Sequence, residues 1–342
     1  MKFARIAFPL VLIICSPAFT ALYTQDFEVD STPSWTVNNG PSDAATNFFF
    51  DYSTVGIPAA PSGAGTRGMK LQANQANGIF SGVSVSPTGQ SFSGNYTVSF
   101  DWWGNFNGPF PAGGSGSTQL STYGVGTSGS VVQWPGGTQD SVWFAATVDG
   151  NSASDWRAYS TAAPTSYADA STVYAAVGAG NRNSSHAYYA SLGANTAPAA
   201  QVVLFPQQTG ATLVGSAGME WHQVLLDVVD GLASWKVDGL PIATVDLSTV
   251  VLGGGDIFFG HSDSNATSST DPNDGALLFT LIDNVAVNAA VPEPGGDWGA
   301  GPWGADHPPP QSSLNLHNAR IFLAQRRESI RDLALLSSWN GG

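Results

Sequence analysis

The chain has 342 residues, including 40 glycines and 21 prolines, with 11% charged residues and a formal net charge of −14. Between residues 22 and 292 the only basic side chains are Arg67, Lys70, Arg157, Arg182 and Lys236. This excludes a nucleic-acid partner, because binding a phosphate backbone needs clustered cations. A single cysteine, Cys15, excludes a disulfide framework, so stability must come from a large apolar core.

In chain order, Lys2 and Arg5 precede an apolar run over residues 6–14, and the small residues Ser16, Ala18 and Ala21 follow. That pattern predicts a secretory signal peptide over residues 1–21, too short to span a bilayer, and hence a secreted or cell-surface protein. Residues 22–290 are long enough for one large all-β domain. Short β-branched and aromatic runs bounded by turn formers predict strands at 22–29, 46–52, 69–72, 79–85, 96–103, 141–148, 222–229, 233–237, 257–260 and 277–287. Asp230-Gly231 and Asp238-Gly239 read as two-residue hairpin turns, since Asp-Gly tolerates the positive φ such turns require. Between them Ala233, Trp235 and Val237 alternate with Ser234 and Lys236, one face dry and one wet.

No long amphipathic helix is expected before residue 310. Loops are expected over residues 105–137 and 152–198, both rich in Gly, Ser, Ala and Pro. Two Gly-x-Gly-x-x-Gly strings, 63–68 and 124–129, lack the strand-then-helix context of a phosphate loop and read as turns. Many strands without crossover helices predict an antiparallel sandwich.

Five strings carry a resemblance: Trp221-His222-Gln223-Val224, Val228-Val229-Asp230-Gly231, Trp235-Lys236-Val237-Asp238-Gly239, Asp256-Ile257-Phe258-Phe259-Gly260 and Leu281-Ile282-Asp283-Asn284-Val285. Together they resemble the C-terminal half of a concanavalin A-like jelly roll, a layout shared by laminin G-like and legume-lectin-like domains. The resemblance implies an all-β, antiparallel two-sheet jelly-roll sandwich, and a glycan or extracellular polysaccharide as partner. Glycosidases on this sandwich need paired carboxylates. The only glutamates are Glu28, Glu220, Glu293 and Glu328, and no Glu-x-Asp-x-x-Glu run exists, so no catalytic residue is assigned and a non-catalytic module is expected. The alternatives are a structural or adhesive surface protein and, behind it, an enzyme using aspartates.

Trp102, Trp103, Phe106, Phe110 and Trp134 flank or occupy the first long loop and are candidate platforms for stacking on sugars. Trp102 and Trp103 share a strand and point to opposite faces, so only one belongs to the main core unless a loop covers the other. Asp263, Asn265, Asp271, Asn273 and Asp274 could supply oxygen ligands to Ca²⁺, although their spacing is not that of an EF-hand. His186, His222 and His261 show no catalytic or zinc spacing and are expected to be satisfied or surface histidines.

Residues 291–342 form a tail that opens with Val291, Pro292, Glu293, Pro294 and Gly295. This string resembles the PEP-CTERM sorting signal, which implies processing by an exosortase-type system. Asp297, Trp298, Pro302, Asp306 and the prolines 308–310 interrupt the apolar segment that should follow, so no membrane span is expected there. Codons read one base later would permit an apolar run followed by arginines, which suggests a frameshifted tail. Residues 314–336 carry four arginines among apolar residues and could form an amphipathic helix.

Overall fold

The computed structural model describes residues 21–41, 43–73, 82–111, 119–135, 140–150, 155–160, 165–166, 174–175, 183–263 and 271–290. Residues 1–20 of the expected signal peptide, the string Val291, Pro292, Glu293 and Pro294, the rest of the tail, and Asn265 lie outside them, whereas Ala21, the last residue of the expected signal peptide, is described.

In chain order the strands begin with β1 (Ala21–Gln25), β2 (Trp35–Asn39), β3 (Ala44–Asp51), β4 (Arg67–Ala73), β5 (Gly82–Pro87) and β6 (Tyr96–Asn105). There follow β7 (Gln119–Thr127), β8 (Val142–Thr147), β9 (Trp156–Ser160), β10 (Thr165–Ser166) and β11 (Tyr174–Ala175). The last are β12 (Trp221–Val229), β13 (Leu232–Val237), β14 (Leu240–Asp246), β15 (Asp256–Asp263) and β16 (Phe279–Ala289). Two short helices, α1 (Ala199–Leu204) and α2 (Asp274–Leu277), decorate the strands.

The first sheet runs β11-β14-β13-β12-β6-β16-β4-β3, with β1 also paired to β16; the second runs β10-β9-β8-β7-β15-β5-β2. The paired strands of both sheets are antiparallel. The chain crosses repeatedly between sheets, with β2, β5 and β15 in the second sheet and β1, β3, β4, β6 and β16 in the first, as in a jelly roll.

Alternation along each strand supplies the core. Val98, Phe100 and Trp102 of β6 and Trp235 of β13 face Tyr123 of β7, Phe144 of β8 and Phe259 of β15. Ring centroids across the gap lie 5.0 Å apart for Phe100 and Tyr123, 5.0 Å for Phe100 and Phe259, and 5.2 Å for Phe144 and Trp235. Edge and stacked contacts of this kind add about 0.5–1.5 kcal/mol per pair to the burial term.

Both Asp-Gly turns form as expected. Asp230 and Gly231 have φ of 51° and 80°, Asp238 and Gly239 of 50° and 76°, and each pair links strands closed by adjacent partners.

The expected loop over residues 105–137 is corrected, because it contains β7, a central strand with all nine residues buried. Its sequence reads as a turn because its glycines answer to packing. A Cβ on Gly124 would lie 2.4 Å from the Val142 carbonyl oxygen. Gly126 adopts φ +84° at a register shift against β15, a bulge that a side chain would strain. The second Gly-x-Gly-x-x-Gly string is therefore strand and bulge. Strand β9 likewise lies inside the second stretch expected to be loop.

Candidate functional site

The outward face of the first sheet divides into a sealed half and an open half. Strand β6 shows the division: Thr97 and Ser99 are half-buried on this face, whereas Asp101, Trp103 and Asn105 further along are fully buried. Two covers close the second half. Helix α1 lies over Asn105 and the turn at residues 52–55, where Gln201 Nε2 donates to Val55 O and to Asn105 Oδ1, both at 3.1 Å. Residues 57–66 run as a strap over Asp101.

Under the strap two carboxyls meet. Asp283 of β16 is the direct cross-strand partner of Asp101 of β6, and the pair is 2% and 0% exposed. Opposed residues on one sheet face are close neighbours. Ser62 donates to Asp101 twice, through N at 3.0 Å and Oγ at 2.8 Å, and Asn284 Nδ2 donates at 2.8 Å. Asp283 Oδ1 accepts from Asn284 N at 2.7 Å, and Asp283 Oδ2 lies 3.0 Å from Tyr52 Oη. Burial first, and then the like charges of Asp101 and Glu28, push the Asp283 carboxyl up to about 7.

The strap is anchored at its other end by Trp221, whose Nε1 donates to Pro58 O at 2.9 Å. Trp221 is half-exposed, stands opposite Trp103, and meets Tyr52 edge-on at 5.2 Å.

The open half continues from Trp221 across β6, β12, β13 and β14. Its outward rows hold Ser99, Thr97, Gln223, Leu225, Asp227, Ser234, Lys236 and Thr244, each half-buried or exposed. Lys236 Nζ donates to Asp227 Oδ2 at 3.0 Å, and the Ser234 and Thr244 hydroxyls are 3.1 Å apart. On the other flank, at the β16 bulge, a cleft of about 300 Å³ is lined by Thr24, Gln25, Asp26, Asn284, Val285 and Ala286. This face can offer hydroxyls, amides and an ion pair beside one half-exposed indole.

The aromatic platform expected from the sequence is corrected. Trp102 lies in the core between the sheets, 5.9 Å from the ring of Tyr123. Trp103 points the other way and is nevertheless 2% exposed, because the covers just described enclose it; its Nε1 donates to Asn105 Oδ1 at 3.0 Å. Phe106 packs edge-on against Phe110 at 4.9 Å, and both are buried. Trp134 is buried against the backbone of Gly40 and Gly82. None of the five presents an open ring face. Trp221, quoted in the sequence only for its place in a strand, is the indole that reaches solvent beside the polar face. Its alternation with buried His222 and Val224 was the available signal.

Of the expected calcium ligands, Asp263 ends β15, Asp271 and Asn273 precede α2, and Asp274 opens it. Asp271 Oδ1 accepts from Asn273 N at 2.8 Å and Asn273 Nδ2 at 3.0 Å, an Asx turn leading into α2. Asp274 accepts from Asn107 Nδ2. Among the described residues no group of three or more His, Cys, Asp or Glu side chains stands in a metal-binding arrangement.

Two of the histidines are buried and satisfied. His222 Nδ1 is 2.6 Å from Asp238 Oδ2 and its Nε2 is 2.9 Å from Ala217 O. His261 contacts Thr280 Oγ1 at 2.8 Å and Gln119 Oε1, and burial pushes its imidazole down to about 3. His186 caps a short helical turn by accepting from Tyr188 N.

No family model matches the chain, and no curated protein matches it. Among solved structures it is similar to a Bacillus subtilis protein of unknown function with a galectin-like fold, at 11% identity and a TM-score of 0.42, covering 81% of this chain and 99% of that one. It is also similar to the metal-free carbohydrate recognition domain of Emp46p, at 7% identity and a TM-score of 0.41, over 80% and 100% of the two chains. A third is a Bacillus licheniformis beta-glucanase, at 12% identity and a TM-score of 0.39, over 79% and 98%. The sheet topology by itself establishes the chain as an all-β, antiparallel two-sheet sandwich.

Proposed function

We propose that the protein is an exported, non-catalytic carbohydrate-binding module that engages an extracellular polysaccharide through the open half of the outward face of its first sheet. The observation that carries this reading is the juxtaposition of half-exposed Trp221 with the polar rows of Ser99, Gln223, Asp227 and Lys236. An indole with one wet edge can pack on the apolar face of a sugar, while neighbouring hydroxyl, amide and charged groups bond its hydroxyls. The non-catalytic part of the reading is supported by the glutamates, since Glu28, Glu220, Glu293 and Glu328 form no Glu-x-Asp-x-x-Glu run.

The test is a glycan-array screen of the full chain with Trp221→Ala and Gln223→Ala, run with Ca²⁺ and again with chelator. Binding that falls at least tenfold in both variants is expected. Equal binding by the variants, or silence of the wild type under both conditions, would overturn the reading. Binding lost only in chelator would support the proposed Ca²⁺ dependence through the segment containing Asp263, Asn265, Asp271, Asn273 and Asp274.

A structural or adhesive role is the second reading. It is favoured by α1, which turns Val203 and Leu204 outward, 81% and 52% exposed. Silence on glycans combined with self-association lost in Val203→Ser would select it. Export by the signal segment and processing at Val291–Pro294 by an exosortase-type system belong to the same proposal.

A further inference from the structure

The strap over the carboxyl pair is held by hydrogen bonds whose number depends on one proton. Tyr52 Oη has a single hydrogen to give and three polar neighbours: Gly65 O at 3.1 Å, Ala60 N at 3.1 Å and Asp283 Oδ2 at 3.0 Å. Ala60 N only donates and Gly65 O only accepts. With Asp283 ionised, two acceptors compete for the one phenolic hydrogen, and one of them is left facing a lone pair. With a proton on Oδ2, Asp283 donates to Tyr52 Oη, Tyr52 donates to Gly65 O, and Ala60 N donates to Tyr52; all the contacts are then made.

The surroundings of Asp283 add to this dependence. It faces Asp101 on β6, Tyr52 in the turn after β3, Glu28 after β1, and the backbone N–H of Asn284. Asp101 accepts from three donors, Ser62 N, Ser62 Oγ and Asn284 Nδ2. Arg67, the nearby cation, offers its backbone N–H to Glu28 at 3.0 Å, while its guanidinium bonds Phe49 O, covers the Phe49 ring and lies 3.8 Å from Asp51. The strap also presses closely on these groups. A Cβ on Gly63 would lie 2.2 Å from Asn284 Oδ1, and one on Gly65 would lie 1.6 Å from Glu28 Oε1. The first Gly-x-Gly-x-x-Gly string thus begins in the part of the strap that lies on the carboxyl cluster and ends in β4.

We propose that residues 57–66 are a proton-dependent strap, closed over the outward face of the first sheet while Asp283 carries a proton and released when that proton passes to solvent. Release sets a second negative charge beside Asp101 and Glu28, and the carboxylate, now the stronger acceptor, holds the Tyr52 hydrogen and takes it from Gly65 O. The strap then lifts, and Pro58 gives up the Trp221 indole. What opens is a cavity containing two carboxylates flanked by Trp221 and Trp103, continuous with the polar rows of the open half. The device stands on hydrogen-bond geometry and does not depend on the ligand being a glycan.

The experiment is amide hydrogen exchange on the full chain between pH 5.5 and 8.5, with rates corrected for intrinsic exchange, together with acrylamide quenching of tryptophan. Protection at Ala60 and Ser62 is expected to fall at least tenfold across that range, with Phe100 in β6 unchanged and quenching increased. Asp283→Asn, whose amide can donate to Tyr52 as the protonated acid does, should keep the strap protected at both pH values. Asp256→Asn should keep the wild-type step, which separates the effect from the other carboxyl raised to about 7. Tyr52→Phe should leave Ala60 poorly protected throughout. Constant protection in the wild type, an undiminished step in Asp283→Asn, or a step retained in Tyr52→Phe would each overturn the proposal.

Discussion

In Asp283→Asn a neutral carboxamide replaces a buried carboxyl whose pKa is raised to about 7 by burial and by the charges of Asp101 and Glu28. Because the folded chain holds this proton more tightly than the unfolded chain, the group's stabilising contribution is complete below pH 3.8. It is lost as pH rises through about 7. A gap from 3.8 to about 7 corresponds to at most about 4 kcal/mol between acid and alkaline conditions, and release of the strap would cap the loss below that. Asn carries no such penalty, so the variant should gain stability over the wild type progressively from pH 4 to 8. The assay is urea unfolding at fixed pH values, read as the difference between the two proteins so that contributions common to both, including that of Asp256, cancel. A difference that stays flat with pH would refute the reasoning.

Other outcomes follow from the same structure. Gly124→Ala should destabilise by about 2 kcal/mol or more, measured by denaturant unfolding, because its Cβ would meet the Val142 carbonyl at 2.4 Å in the middle of the second sheet. Lys70 lies between Phe50 and Phe279, its Nζ 4.7 and 4.8 Å from the two rings, with Gly275 O as its hydrogen-bond acceptor. Burial pushes its amine down to about 8, so the folded state holds that proton less tightly. Lys70→Met should therefore raise the melting temperature more at pH 6 than at pH 10, and an equal change at both would count against the assignment. If the segment around Asp271 to Asp274 takes up Ca²⁺ with Asp263 and Asn265, excess chelator should lower the melting temperature, and an unchanged melt would remove the site.

Much of the architecture was legible in the chain because its signals are local. Residues 233–237 alternate dry and wet, and the two Asp-Gly pairs carry the positive φ their turns need, so the hairpins of β12, β13 and β14 follow from neighbouring residues alone. Strand β7 was not legible, because its glycines reflect tight packing by β8 and β15 on either side and resemble a loop until those neighbours are known.

The candidate site depended still more on contacts distant in the chain. Sequence determined that Trp102 and Trp103 point to opposite sides of one sheet, since successive residues in a strand must do so. Only the tertiary structure decided that both are buried, because what covers Trp103 comes from α1 and from the segment after β3. Asp101 and Asp283 carry no motif. They become a pair because β6 and β16 are neighbours in register, and both are buried because a strap from a third part of the chain bonds and covers them. Local periodicity can specify a strand and its faces; which face is covered, and which charges meet beneath the cover, is set by pairings between residues far apart in the sequence.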